Sequence, residues 1–301
     1  MQNNIFSIIP AIRPPFLFLA PICVCYGAAI AAFEGQAVNA DTLTLALIGA
    51  VLALISVNCF NEYQDYQSGL DSNTKRTPFS GGSGLLVKHP ALAQRVNRLA
   101  YLSLSLTFCI GLYFAYQIGL IIIPVGLLGI AIIYFYTSHL NQSPFACLIA
   151  PGLGLGVLIP FGSYFVLTHN VMTQHIILLI IPFLLINNLL LLNQYPDIEA
   201  DKQAGRRHFP IQFGVNISNW VYAGFSLLAI VFLLIAVLLL GLPKLLLVAI
   251  VPMSLSAISL YGMTKLKNNI ATQPHYLAFN AIAANLTPII ISVILFHYSP
   301  L

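Results

Sequence analysis

Long apolar runs divide this sequence, at about 15–33, 42–60, 99–117, 118–138, 145–167, 174–193, 218–240, 243–263 and 276–297. A helix that crosses the hydrocarbon core of a bilayer needs ~20 mostly apolar residues. Lipid offers the backbone no hydrogen-bond partners, so runs of this length must satisfy themselves as helices. The expectation is an all-α membrane protein of nine transmembrane helices, forming one domain over 1–301. Only 7% of the residues are charged, against roughly 25% in an average soluble domain. That is too little to cover a water-facing surface, which excludes a soluble enzyme and a disordered chain. The net charge of +4 is dispersed, so no basic face points to nucleic acid. The five cysteines lie in apolar runs without C-x-x-C spacing and read as small core residues. The N-terminal segment lacks the features of a cleaved leader, so the first run is expected to stay as a span.

The remaining charge is sorted by side. Eleven of the 12 Lys and Arg residues fall before the first run or after the second, sixth and eighth; Lys244 is the exception. By the positive-inside rule this puts the N-terminus in the cytoplasm and the C-terminus outside. The acids are sorted more narrowly. Glu34 and Asp41 lie in the first outer loop, whereas Glu62, Asp65 and Asp71 follow the second run and Asp197, Glu199 and Asp201 follow the sixth. The two clusters match each other. N-E-Y-Q-D (Asn61 to Asp65) and N-Q-Y-P-D (Asn193 to Asp197) share Asn, Tyr and Asp at one offset, 193 − 61 = 132 residues. This spacing suggests two four-helix pseudo-repeats plus a ninth helix, with a site at the repeat interface.

On a helix, Asn58, Asn61 and Asp65 share one face, and so do Asp197 and Asp201; Glu199 points away. Asp71 follows Gly69, where the helix should end, and is expected to act from a loop. Carboxylates gathered at a membrane boundary repel one another and need a cation. A set of Asp and Asn oxygens suits Mg²⁺, which binds through one or two carboxylates together with substrate phosphates. Asn61, Asp65, Asp71, Asp197 and Asp201 are the candidate metal ligands, and Asn61, Asp65, Asp197 and Asp201 the candidate catalytic set. Arg13, Lys75, Arg76, Lys202, Arg206 and Arg207 are candidate phosphate contacts. F-S-G-G-S-G (Phe79 to Gly84) either offers backbone N–H groups to an anion or is a flexible loop. Gly152, Gly154 and Gly156 lie inside a run, so close helix packing explains them better than a nucleotide site.

N-E-Y-Q-D-Y-Q-S-G-L-D (Asn61 to Asp71) and D-I-E-A-D-K-Q-A-G-R-R (Asp197 to Arg207) resemble the two Asp-rich motifs of the UbiA superfamily of integral-membrane prenyltransferases. The resemblance covers most of the chain. It implies a helical bundle around a cavity open to the cytoplasmic side, with a lateral opening to lipid. There a Mg²⁺-bound polyprenyl diphosphate ionises and the allylic cation alkylates an acceptor, usually aromatic. Such a cation needs a dry pocket with aromatic faces, for which Tyr63, Tyr134, Tyr136 and Tyr195 are candidates. Y-F-Y-T-S (Tyr134 to Ser138) and T-P-F-S-G-G-S-G look nearest to the 1,4-dihydroxy-2-naphthoate, menaquinone-type branch. The loop H-L-N-Q-S-P-F-A after Ser138 departs from that branch, which leaves the acceptor open. The alternatives are a 4-hydroxybenzoate or haem prenyltransferase and, from another class, an ion-coupled transporter.

Overall fold

The computed structural model describes residues 5–74, 76–77 and 79–300. Among them there is no strand, and eight helices are long and apolar enough to cross a membrane. In chain order these are α1 (Pro14–Phe33), α2 (Ala40–Gln67), α3 (Pro90–Ile118), α5 (Pro144–Thr168), α6 (Ile176–Asn193), α7 (Phe209–Leu238), α8 (Lys244–Thr272) and α9 (His275–His297). The fourth apolar run forms a shorter helix, α4 (Leu120–Phe135). Gly119, with φ 97°, ends α3 immediately before it, and turns follow from Tyr136. The nine expected runs therefore give eight long helices and one short one.

Local signals place the helix starts. Asn39 caps α2 by accepting from the Thr42 backbone N–H at 2.9 Å, and Ser143 caps α5, where Pro144 occupies the first position. The core follows from apolarity on all sides. Residues of α6 are buried almost throughout, packed with α1, α7 and α9 around Tyr26, Ile181, Leu185, Leu233 and Ile291. α9 returns to pack on α1 and closes the bundle. Within α5, Gly152–Leu158 winds as a π-helix. A side chain at Gly152 or Gly156 would strike the backbone of α6 at Phe183, so these glycines serve close packing, as their position inside the run suggests.

A polar cluster also ties the bundle at the end away from the acidic motifs. Glu34 bonds to Tyr164 and, at 2.5 Å, to Nδ1 of the buried His175. It joins the end of α1 to α5 and to the segment entering α6.

Candidate active site

The two acidic motifs meet at one end of a cavity of about 570 Å³. The end of α2 contributes Asn58, Asn61 and Asp65, and the end of α6 contributes Asn193. Gly69, with φ 75°, then starts a new turn, Leu70–Asn73. Asp71 therefore stands on a short helix, not on the loop expected from sequence. Asp197 begins a second short helix, Ile198–Gln203, that carries Asp201.

Arg206 joins the motifs. One guanidinium nitrogen bonds to Asp65, and the other reaches Asp201 Oδ1 at 2.8 Å. The second Asp201 oxygen lies 2.9 Å from His208 Nε2, and His208 is 2% exposed. Both carboxylate oxygens of Asp201 are thus engaged. The glycine-rich loop makes a second bridge. Its Gly81 N–H donates to Asp197 Oδ2 at 3.1 Å, and its Ser83 N–H donates to Glu62 Oε2 at 3.0 Å. Those N–H groups face the protein's own acids, one from each motif. Glu62, fully buried, also lies 3.4 Å from Arg13.

What remains free is informative. Asp71 Oδ2, Asn193 Oδ1 and Asp197 Oδ1 are buried without a hydrogen-bond partner. All three residues border the cavity. Buried acceptors of this kind are costly unless something binds them. Burial, then the neighbouring charges of Glu62 and Asp65, pushes the Asp71 carboxyl up to about 7. Burial and then Asp201 push Asp197 up to about 7 as well. Among the described residues no three His, Cys, Asp or Glu side chains converge into a metal site by themselves. The oxygens present therefore suit a cation that completes its shell from another source, as Mg²⁺ does with phosphates. Arg13 supplies the opposite charge. It borders the cavity with a buried, unpartnered Nε and sits at φ 52°, a left-handed conformation rare outside glycine.

The other sequence candidates are placed as follows. Tyr136 borders the cavity. Tyr195 is fully buried, donating to Asn219 at 2.8 Å, and Tyr63 packs beside α3. Tyr134 is 41% exposed and edge-on to Phe60. These three do not line the cavity. Arg76 is exposed and donates to the Asp71 backbone carbonyl at 2.9 Å; Lys202, Arg207 and Glu199 are exposed on the surface. Lys75 lies outside the described residues. Sequence reasoning passed over Asn193 and His208 as site residues. The repeat already pairs Asn193 with Asn61, whereas nothing in the pattern marks His208.

Behind the polar end the cavity is apolar, walled by α2, α3, α4 and α5 with residues such as Leu54, Phe114, Ile130 and Val166. The model of the UbiA prenyltransferase family matches residues 19–282. A 1,4-dihydroxy-2-naphthoate octaprenyltransferase of Bacillus subtilis is 30% identical over 207 residues, 67% of this chain and 64% of the relative, so the match spans just under two thirds of that protein. The enzyme of the same name from Haemophilus influenzae is 28% identical over 67% of each chain. Among solved structures, a UbiA homologue from Archaeoglobus fulgidus bound to DMAPP and Mg²⁺ superimposes with a TM-score of 0.65 at 15% identity, over 96% of this chain and 99% of the other.

Proposed function

This chain belongs to the UbiA prenyltransferase family, and we propose that it transfers a polyprenyl group from its diphosphate to an aromatic quinone precursor of the 1,4-dihydroxy-2-naphthoate type. The observation that carries this proposal is the cavity itself, a polar end with unpartnered buried oxygens from both acidic motifs and a long apolar arm behind it. A diphosphate with an isoprenoid tail has the same division.

Asp71, Asp197 and Asn193 would hold Mg²⁺, with Asn61 and Asp65 beside them. Bound there, the metal would neutralise the charge that builds on the departing diphosphate. Arg13, with its free Nε, would meet a phosphate oxygen. Arg206 holds Asp65 and Asp201 together and would offer its remaining donors to the same anion. His208 orients Asp201. Tyr136, which borders the cavity, would be the aromatic group available to an allylic cation formed there. The apolar walls exclude the water that would quench that cation. Arg76 and Lys202 stand outside the cavity, and outer positive charge is the role that suits them.

The topology belongs to the same proposal. The motifs follow α2 and α6 and meet through Arg206, so the chain must cross the membrane an even number of times between them. This supports counting α4 as a crossing, which gives nine in one domain over 1–301. The bias of Lys and Arg supports a cavity mouth and N-terminus on the cytoplasmic side and a C-terminus outside. Cysteines placed at Ser72 and Gln203 should then resist an impermeant external reagent in intact cells.

The assay that decides the function uses purified protein, Mg²⁺ and a panel of prenyl diphosphates. 1,4-Dihydroxy-2-naphthoate, 4-hydroxybenzoate and haem serve as acceptors, with products identified by mass. Prenylated naphthoate is the expected product, motivated by the names of the relatives. Transfer to 4-hydroxybenzoate or haem alone would overturn the acceptor, and no transfer to any of them would overturn the proposal.

A further inference from the structure

The glycines of this protein differ in what surrounds the missing side chain. Gly27, Gly152, Gly156 and Gly262 are packed so closely that an added methyl would strike a neighbouring helix or ring. Gly111, Gly126, Gly129 and Gly162 have no neighbouring atom within 4 Å of where a Cβ would stand. Yet these four all border the cavity, from α3, α4 and α5. Packing does not explain them, and glycine is a poorer helix former than alanine. Their effect is to leave width in the apolar arm. Gly126 and Gly129 stand three residues apart, so both fall on one face of α4.

Two further observations give that width an occupant. At the polar end of the same cavity Asp71 is 3% exposed with Oδ2 unpartnered, so the cavity is built for something that brings a cation or a donor there. Along the same arm Phe108 and Leu112 of α3 and Leu127 of α4 border the cavity with much of their apolar surface left uncovered. The wall that carries the glycines is therefore apolar and has uncovered surface for a hydrocarbon chain to lie against.

We infer that the four glycines form one wall of the channel for the isoprenoid tail, so that width at this wall determines which tails are accepted. The inference rests on the diphosphate assignment of the polar end. A leucine side chain is close in size to one isoprene unit, so a leucine on this wall takes the place of one.

The test measures binding in detergent, with Mg²⁺, of pyrophosphate and of dimethylallyl, geranyl, farnesyl and geranylgeranyl diphosphates. In the natural protein affinity should rise with tail length. Gly126→Leu, Gly129→Leu and Gly162→Leu should each weaken geranylgeranyl diphosphate by ~10-fold or more, the worth of one lost apolar contact of that size. Pyrophosphate and dimethylallyl diphosphate should stay within about twofold, as for a substitution without a structural cost. Gly224, equally open but away from the cavity, is the control, and Gly224→Leu should leave the profile unchanged. The alanine variants at 126, 129 and 162, which meet no neighbour, should shift the profile the same way by less and answer the question if a leucine variant fails to fold. Loss of pyrophosphate and long-tailed donors alike, or an unaltered tail profile in the variants, would refute the glycine wall while the diphosphate site stands. Failure of the natural protein to bind pyrophosphate at all would refute the diphosphate assignment first.

Discussion

The two acidic motifs share a sequence pattern but not an environment. Asp65 and Asp197 are matched by the repeat, as are Asn61 and Asn193. Asp65 is held by Arg206, and Asn61 accepts from Thr137 at 3.3 Å. Asn193 Oδ1 and one oxygen of Asp197 have no partner. The asymmetry has a simple origin: position 206 is Arg, and its counterpart 132 residues earlier, position 74, is Thr. A single guanidinium thus neutralises Asp65 and Asp201, one acid from each motif, and leaves Asp71 and Asp197 each with an oxygen available to a cation.

The largest expected effect tests the free carboxylates. Asp197→Asn and Asp71→Asn should each lower turnover by ~100-fold or more, since in the proposed reaction charge stabilisation of the leaving group would depend on them. Asp65→Asn should fall in the same range, but by releasing Arg206, so its protein should also unfold at a lower temperature. Equal unfolding temperatures for Asp65→Asn and Asp197→Asn would break the distinction between the paired and the free carboxylate.

Next in size is the bridge itself. Arg206→Gln leaves two buried carboxylates facing each other and should cost about 3 kcal/mol of stability, as when one partner of a buried pair is removed. Arg206→Lys should recover only part of it, because a single ammonium cannot fork between two acids. Denaturation of the purified variants in detergent measures both.

The pH dependence sharpens the same contrast. Asp71 and Asp197, pushed up to about 7, hold protons in the folded protein that the unfolded chain loses near its ordinary carboxylate value. Folded protein thus binds more protons between about 4 and 7, so metal-free stability should fall as pH rises through that window. Mg²⁺ must displace those protons, so half-saturation should require up to ~10-fold more metal for each proton released per unit fall below about pH 7. Calorimetric titration with Mg²⁺ at several pH values tests this, and a flat response would break it.

The smallest effects should come from the surface acid and base of the second motif. Glu199→Gln and Lys202→Ala, both exposed, should change turnover less than about twofold, the usual range for such positions. A larger loss in either would mean that the short helix Ile198–Gln203 closes over the bound donor.

Much of this was legible beforehand because it depends on composition and local order. Apolar runs of spanning length become helices wherever water is absent, and Arg13, Asn61, Asp65, Asp71, Asp197, Asp201 and Arg206 all border one cavity. The tyrosines were less legible. An aromatic next to an acidic motif can face either the cavity or the core, and of the four only Tyr136 lines the cavity.

By itself the sequence determined the helices, the charged end of the bundle and the two motifs, since each is a property of neighbouring residues. Which oxygens are paired was decided by tertiary structure alone. Asp65 and Arg206 are separated by 141 residues, as Glu62 and Ser83 are by 21 and Asp197 and Gly81 by 116. Whether a glycine closes a helix contact or opens a cavity was decided the same way. The residue is identical in both settings, and the difference is whatever another helix places opposite it.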